Sequence, residues 1–258
     1  AGGFTLLGNP YASTIDFDAI GKTDLTNVAY VWDPETGQWF THPQESGTGD
    51  LTDGLIAPFQ GFFVQNVSSP GGTPSVTIEE ADKATGGTFL GKQNDPLAVR
   101  LELNGQNFTN STWLSFTENG NAALSVRNDA LKLESLTDQF VQLATTKAGK
   151  QTMLDINQLP IAFENAVDIP LEIIGNISGT FILSATDFNL PQGLSLTFNN
   201  LETGESIPMG PDFETIIEFR VDQDQELQSK ASAGSLISAP ATLTQTTDEE
   251  SATYSITI

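Results

Sequence analysis

The sequence predicts an all-β protein, and two observations lead to this fold class. Helical periodicity is almost absent, whereas short runs rich in Val, Ile, Thr and Phe recur between clusters of Gly, Pro, Asn and Asp. Several runs alternate apolar and polar residues, as strands do when one face is buried. We therefore expect an aromatic-rich N-terminal β unit at 1–86, an antiparallel, jelly-roll-like β-sandwich at 87–224, and a linker with a terminal strand at 225–258.

The N-terminal unit is predicted from aromatic runs that turn formers separate. Tyr30 and Trp32 share one face of a strand by alternation, and Trp39 lies on the next strand. Gly61 allows a tight turn just before Phe62. The strands predicted here are 4–7, 28–32, 38–41, 61–66 and 75–79. This pattern is typical of a structural framework.

The predicted sandwich begins with the clearest alternation in the chain. In the run 97–103, four leucine and valine residues lie on one face, while Arg100 and Glu102 lie on the other. The same alternation recurs in later runs, as two packed antiparallel sheets require. Further strands are predicted at 112–117, 140–144, 167–174, 180–185, 194–200 and 215–221. Composition breaks at 79–95 and 222–240 predict the boundaries.

The last predicted strand, at 253–258, follows a polar linker that has few residues to bury. Tyr254, Ile256 and Ile258 line one face of this strand. Such a strand can pair within its own molecule, or it can complete a sheet of a neighbour by strand addition. A head-to-tail contact of the second kind gives an open filament. These three residues are therefore the candidate strand-addition interface.

Composition argues against several classes of function. With 33 acidic and 10 basic residues, the formal net charge of −23 repels nucleic acid and anionic lipid headgroups. The chain has no cysteine, which excludes thiolate catalysis, zinc–thiolate sites and a disulfide scaffold. No apolar run reaches about 18 residues, so we expect no membrane insertion. Because the chain begins with Ala1 rather than Met, we expect a processed or excised segment of a longer precursor.

Motifs in both halves of the chain resemble those of a bacterial family. In the first half they are GNPYAS at 8–13, IDFD at 15–18 and IAPFQGFFV at 56–64. In the second half they are DALKL at 129–133, INQLP at 156–160, IPL at 169–171, LP at 190–191 and LETG at 201–204. Together they resemble β modules near the C-terminal ends of secreted surface proteins of Bacteroidetes-type bacteria, which the type IX secretion system exports. The resemblance implies an extracellular or cell-surface location and a role as spacer, adhesive stalk or display domain. The family's sorting domain is not recognisable in 222–258.

Candidate catalytic and metal-binding residues are few. His42 is the only histidine and no nucleophile motif accompanies it, so we predict an exposed loop histidine and no enzymatic activity. Carboxylate pairs could serve a glycosidase, but only at a separation that a sequence does not show. For calcium, Asp16 with Asp18 and Asp50 with Asp53 offer hard oxygen ligands in predicted loops. No other cofactor is expected.

Aromatic side chains offer one further candidate site. Tyr30, Trp32 and Trp39 form either part of the core or a platform on which sugars stack, as in carbohydrate-binding modules. The sequence thus predicts a structural or adhesive module, either an extracellular filament subunit assembled by strand addition or a monomeric spacer attached to secreted cargo. A carbohydrate-binding module is the remaining alternative. The expected partners are other copies of the chain, other domains of a longer surface protein, or carbohydrate.

Overall fold

The computed structural model describes residues 2–44, 47–67, 72–85, 96–147, 152–221 and 253–258. In these ranges the regular elements are β-strands and two short 3-10 turns, Thr52–Gly54 and Glu80–Asp82, with no α-helix. The prediction of an all-β fold is confirmed. The chain forms two compact units, one of Ala1–Pro96 with Ser125–Ala130 and one of Leu97–Leu124 with Leu131–Ile258.

The first unit is built around a four-stranded antiparallel sheet. Its strands are ordered β1 (Phe4–Gly8), β7 (Gly61–Gln65), β4 (Val28–Asp33) and β5 (Gln38–Pro43). Two small antiparallel pairs accompany it, β2 (Ile15–Asp16) with β6 (Leu55–Ile56) and β3 (Gly21–Thr23) with β8 (Ser75–Thr77). All five strands predicted for this unit are present, while the short β2, β3 and β6 were not foreseen in the sequence.

One face of the four-stranded sheet covers the core of the first unit. Leu7, Val31 and Phe62 point to this face, and they pack with Ile15 and Phe17 in one apolar cluster. Ile15, Phe17 and Phe62 are fully buried. The alternation of each strand therefore assigns the core-facing residues. The opposite face of the sheet carries Tyr30, Trp32, Trp39 and Phe63.

Asn9 explains why a Gly-Asn-Pro motif stands at the end of β1. Its Nδ2 donates hydrogen bonds to the carbonyls of Ser13, Ile56 and Ala57 at 2.8, 3.2 and 2.9 Å. Its Oδ1 accepts from the backbone N–H of Tyr11 at 2.9 Å. Since Asn9 is buried, these bonds replace the water that its amide has lost. The motif therefore joins two loops and has a structural role.

In its described residues, the second unit is built on a curled, mixed sheet of eleven strands. Its path runs β17 (Glu205–Met209), β16 (Leu196–Asn200), β19 (Tyr254–Thr257), β14 (Asp168–Gly175), β12 (Val141–Thr145), β13 (Leu154–Pro160), β10 (Phe108–Thr117), β9 (Ala98–Gly105), β15 (Gly179–Asn189) and β18 (Glu214–Phe219). The eleventh strand, β11 (Ala130–Leu131), pairs with β13 off this path.

The expectation of a wholly antiparallel sandwich is wrong at one pair of strands. β10 and β13 run parallel, whereas the other neighbours along the path are antiparallel. A parallel pair needs a crossover connection of about a dozen residues or more, and 118–153 between the two strands is long enough. β13 was not among the strands predicted from the sequence, so its parallel pairing with β10 was not predicted either.

The predicted alternation at the start of the second unit is confirmed in three of its four apolar residues. Val99, Leu101 and Leu103 are buried in the core of this unit. Arg100 lies on the other face of β9 and pairs there with Glu102. Leu97 precedes β9 and is partly exposed, so the strand begins one residue later than expected.

The terminal strand predicted at 253–258 is present as β19, and it belongs to the second unit. β19 is an interior strand of the second unit and has a neighbour on each side. Burial explains this placement, because Ile256 is fully enclosed in the core of that unit. The predicted linker at 222–240 lies outside the described residues, as do the boundary residues 86–95.

Candidate functional site

β19 fills a groove between β14 and β16, and this groove is the candidate strand-addition site. β19 runs antiparallel to both neighbours. Its residues form cross-strand rows with them, for example Ile169, Ile256 and Phe198 in one row. Hydrogen bonds extend beyond β19, with mutual N–H···O bonds between Val167 and Ile258 at 3.2 and 3.0 Å. In the structure, the terminal strand therefore completes the sheet of its own chain.

The core-facing side of β19 carries the three residues predicted as the strand-addition interface. Ile256 is fully buried between Ile169 and Phe198, which are also buried. The Tyr254 ring stacks on the Phe198 ring, with 5.6 Å between the ring centroids. Ile258 is half-buried and packs against the same core. The sequence therefore assigned the apolar face of this strand correctly.

The other side of β19 carries two hydroxyl residues that the sequence analysis did not single out. Nδ2 of Asn199, on β16, donates to Thr257 Oγ1 at 2.9 Å and to Ser255 Oγ at 3.4 Å. The Thr257 hydroxyl in turn donates to Asp168 Oδ1 on β14. Ser206, on β17, donates to Asn199 Oδ1 at 2.8 Å. A polar network thus crosses four neighbouring strands. Asn199 could have pointed to this network in the sequence, because asparagine is uncommon in strands.

Two ionisable groups beside the groove have shifted pKa values. Burial raises the pKa of the Glu172 carboxyl, on β14, from its usual value to about 7. Burial also raises the pKa of the Tyr254 phenol, and the negative charges of Glu202 and Glu218 add to this shift. In both groups, the folded environment therefore disfavours the negatively charged form.

The candidate aromatic platform lies on the face of the first sheet opposite its core. Tyr30 is fully buried and Trp39 is 7% exposed, so neither ring offers an open face to a ligand. Trp32 is half-buried and meets Trp39 edge-on, at 5.3 Å between centroids. Trp39 also packs edge-on against Phe63. Tyr30 and Trp39 are therefore buried and not available as a platform, and Trp32 remains as a candidate stacking residue.

His42 is buried, and the prediction of an exposed loop histidine is wrong. It lies on β5, and its Nε2 is 2.8 Å from Asp18 Oδ1. Its ring packs edge-on against Phe17. Gly54 makes room for it, because a Cβ at position 54 would lie 2.6 Å from Nε2 of His42. The sequence could not show this, since the glycine and the histidine are separated along the chain.

The four aspartates proposed as calcium ligands do not converge on one point. Asp16 Oδ1 accepts from the Asp18 backbone N–H at 2.8 Å, and Asp18 contacts His42. Asp50 is half-buried, and Asp53 is exposed with a left-handed backbone φ of 54°. Among the residues that the structure describes, no group of three or more His, Cys, Asp and Glu side chains could hold a metal ion. Calcium binding therefore stays a prediction.

Comparisons with known proteins do not assign the chain to a family. No protein-family model matches it. No match was found among curated proteins or among solved structures. In the part of the chain that the structure describes, there is no helix with the length and apolar character needed to span a membrane.

Proposed function

We propose that this chain is a non-enzymatic structural or adhesive module at the cell surface or in the extracellular medium. In its assembled form it is a filament subunit, and β19 of one copy completes the sheet of the next. The observation that carries the proposal is the position of β19 between β14 and β16, after a separation of residues 220–253 from β18.

The energetics of this groove favour strand addition as the mode of contact. Without β19, two strand edges and the buried side chains of Ile169 and Phe198 would face water. Unpaired edges and exposed apolar surface both promote pairing with another chain. A second copy offers the same strand with the same register, so the intermolecular contact repeats the intramolecular one.

The separation of β18 and β19 along the chain decides which contact forms. Residues 220–253 join the two strands, and an extended chain covers about 3.3 Å per residue. In dilute solution the tethered strand has the higher effective concentration, so closure within one chain is favoured. Dense packing of copies on a surface raises the concentration of neighbouring strands. Pairing with the strand of a neighbour then competes with closure within one chain.

Composition is consistent with an extracellular setting. A formal net charge of −23 keeps the chain soluble and disfavours contact with nucleic acid and anionic membranes. The resemblance to exported β modules supports the same location. The partners proposed are other copies of the chain and other domains of a longer surface protein.

The lack of cysteine permits a direct test by disulfide trapping. Val167 and Ile258 form a hydrogen-bonded pair, so the neighbouring pair Asp168 and Thr257 is of the close, non-hydrogen-bonded kind. Such a pair has a Cα separation that suits a disulfide. A chain with Asp168→Cys is mixed at high concentration with a chain that has Thr257→Cys, and both are then oxidised.

We expect a covalent heterodimer on non-reducing gels, because each chain supplies only one of the two cysteines. The double variant with both cysteines should crosslink within one chain and block filament formation. In electron micrographs, filaments of the intact chain should disappear from a chain that ends at Asp224 and from Ile256→Asp. Ile216→Asp, a change at an exposed apolar residue of β18, is the matched control and should leave filaments intact. The absence of both heterodimer and filaments would contradict assembly by strand addition.

A second candidate, carbohydrate binding by the first unit, is favoured by one observation. Trp32 is partly exposed beside Trp39, and Leu6 on the same sheet face is 60% exposed. Aromatic rings of this kind stack on sugar rings. Affinity electrophoresis in polysaccharide gels tests it: Trp32→Ala should lose retardation, and Leu136→Ala, an exposed residue of the second unit, should not.

A further inference from the structure

The apolar side of the groove gives it little selectivity. Ile169 and Phe198 pack with Ile256 in the buried core. Another strand with alternating apolar residues could replace β19 there with only a modest loss of stability. The backbone hydrogen bonds are the same for every sequence except proline. Selectivity for one strand must therefore come from the other side of β19.

On that side, each hydrogen bond determines which atom acts as donor and which as acceptor in the next one. The Asp168 Oδ1 atom is the acceptor at this contact, and the Thr257 hydroxyl is the donor. The Thr257 oxygen is then left as an acceptor, and the Asn199 amide must present its Nδ2 to it. Asn199 Oδ1 consequently faces Ser206, whose hydroxyl donates to it.

A hydroxyl residue is what this network requires at position 257. Valine has nearly the same shape as threonine, but it would remove the hydroxyl that donates to Asp168 and the closer of the two hydroxyl partners of Asn199 Nδ2. Glutamate would place a second carboxylate beside Asp168 and would be repelled. Other strands of this chain carry acids between their apolar residues, as Glu218 does between Ile217 and Phe219 in β18. The network therefore disfavours such strands in the groove.

We propose that the groove between β14 and β16 is a selective receptor for a hydroxyl-bearing strand. Asp168 and Asn199 are its specificity-determining residues, and its intended occupant in the assembly is residues 253–258 of a second copy. This inference rests on the proposed strand addition, and it names what the groove accepts and what it rejects.

Strand retention in a nicked protein tests the selectivity. A protease site placed between Asp224 and Pro240 of the full chain allows the linker to be cut after folding, so that β19 is held only by the groove. The dissociation rate of the cut strand is then followed by native mass spectrometry. Thr257→Ser should retain the strand within about twofold of the parent, because serine keeps the hydroxyl.

Thr257→Val should release the strand about 3- to 10-fold faster, since the bonds are partly exposed and water replaces them in part. Thr257→Glu should release it faster still. In a chain with Asn199→Ala and Asp168→Ala, the strands with threonine and valine should dissociate at the same rate. The matched control is Thr109→Val, because Thr109 donates to Asn104 in the same exposed cross-strand manner, on β10 and β9, which do not border the groove. It should leave retention unchanged.

Equal retention of the threonine and valine strands in the parent groove would overturn the selectivity. A persistent difference between them in the Asp168→Ala, Asn199→Ala chain would do so as well. The nicked protein measures contacts within one molecule, so its result does not depend on exchange between copies. A selective groove without disulfide-trapped heterodimers would overturn strand addition alone, and heterodimers with an unselective groove would overturn only the selectivity.

Discussion

Ile256 and Phe198 lie opposite each other on β19 and β16, and both side chains are almost completely enclosed in the core of the second unit. A strand that lay only on the surface of the unit would not bury such residues. This pair therefore makes β19 part of the core, and the stability of the second unit depends on it.

Ile256→Ala should lower the free energy of unfolding by about 2 to 5 kcal/mol, the usual cost of removing a buried aliphatic side chain. Ile216→Ala, at a residue that is 69% exposed, should change it by less than about 0.5 kcal/mol. Denaturant titration followed by circular dichroism measures both values. Equal effects of the two substitutions would show that β19 does not hold the core.

Glu172 should make the second unit less stable as the pH rises. Its pKa is raised to about 7 in the folded protein, so between its unfolded value and pH 7 the folded state binds more protons than the unfolded state. The stabilising protonation is present at low pH and is lost as the pH rises through about 7. Because solvent partly reaches this carboxyl, we expect Glu172→Gln to add only about 1 to 2 kcal/mol at pH 8, and nothing at pH 4.

Thermal unfolding of the parent and of Glu172→Gln at pH 4, 6 and 8 would check this difference. Glu164→Gln is the control, since Glu164 is an exposed carboxylate of the same unit. A constant difference between the parent and Glu172→Gln across this range would contradict the assignment.

Gly54→Ala should strongly destabilise the first unit. The added Cβ would lie 2.6 Å from His42 Nε2, and the backbone φ of +65° already disfavours a side chain. Gly204→Ala is a matched control in the second unit, because its φ is +74° but nothing lies within 4 Å of the new Cβ. We expect a loss of about 1 to 2 kcal/mol for Gly204→Ala from the backbone alone, and about 1 to 3 kcal/mol more for Gly54→Ala. Urea titration of each variant measures the loss in free energy of unfolding. Equal losses would show that the His42 side chain moves aside without destabilising the first unit.

Lys132 and Asp155 form an ion pair that is almost fully buried in the second unit. Lys132 Nζ donates to Asp155 Oδ1 and to the carbonyl of Ser111, each at 2.6 Å. Lys132→Met should cost about 3 to 5 kcal/mol, because it leaves a buried carboxylate without its cation. Adding Asp155→Leu should recover much of that loss. Glu80→Gln, which breaks an exposed pair with Lys83, should cost less than about 1 kcal/mol. No recovery in the double variant would contradict this account.

The strands with clear alternation could be predicted from the sequence, and β13 could not. Asp155, Asn157 and Gln158 interrupt its apolar residues, yet all three side chains are buried, because tertiary hydrogen bonds offset part of the cost of burying them. Examples are the contacts of Asp155 with Lys132 and of Asn157 with Thr145. Because these hydrogen bonds join residues that are distant in the sequence, local polarity alone could not predict this strand.

The apolar face of β19 could be predicted for the opposite reason. Tyr254, Ile256 and Ile258 alternate with hydroxyl residues, and alternation is a local property. Its position between β14 and β16 depends on pairing over long sequence separations, which alternation does not encode. His42 illustrates the same limit, since its burial depends on the space that Gly54 leaves.

The position of β19 also determines when the second unit can finish folding. The hydrogen bonds of Thr257 to Asn199 and Asp168 span 58 and 89 positions of the chain, so β19 joins the sheet through non-local pairing. Such pairing slows folding because the loop entropy is lost before the contacts form. A growing chain that has not yet reached Tyr254 lacks an interior strand of its sheet, and the facing edges of β14 and β16 stay unpaired until residues 254–257 emerge.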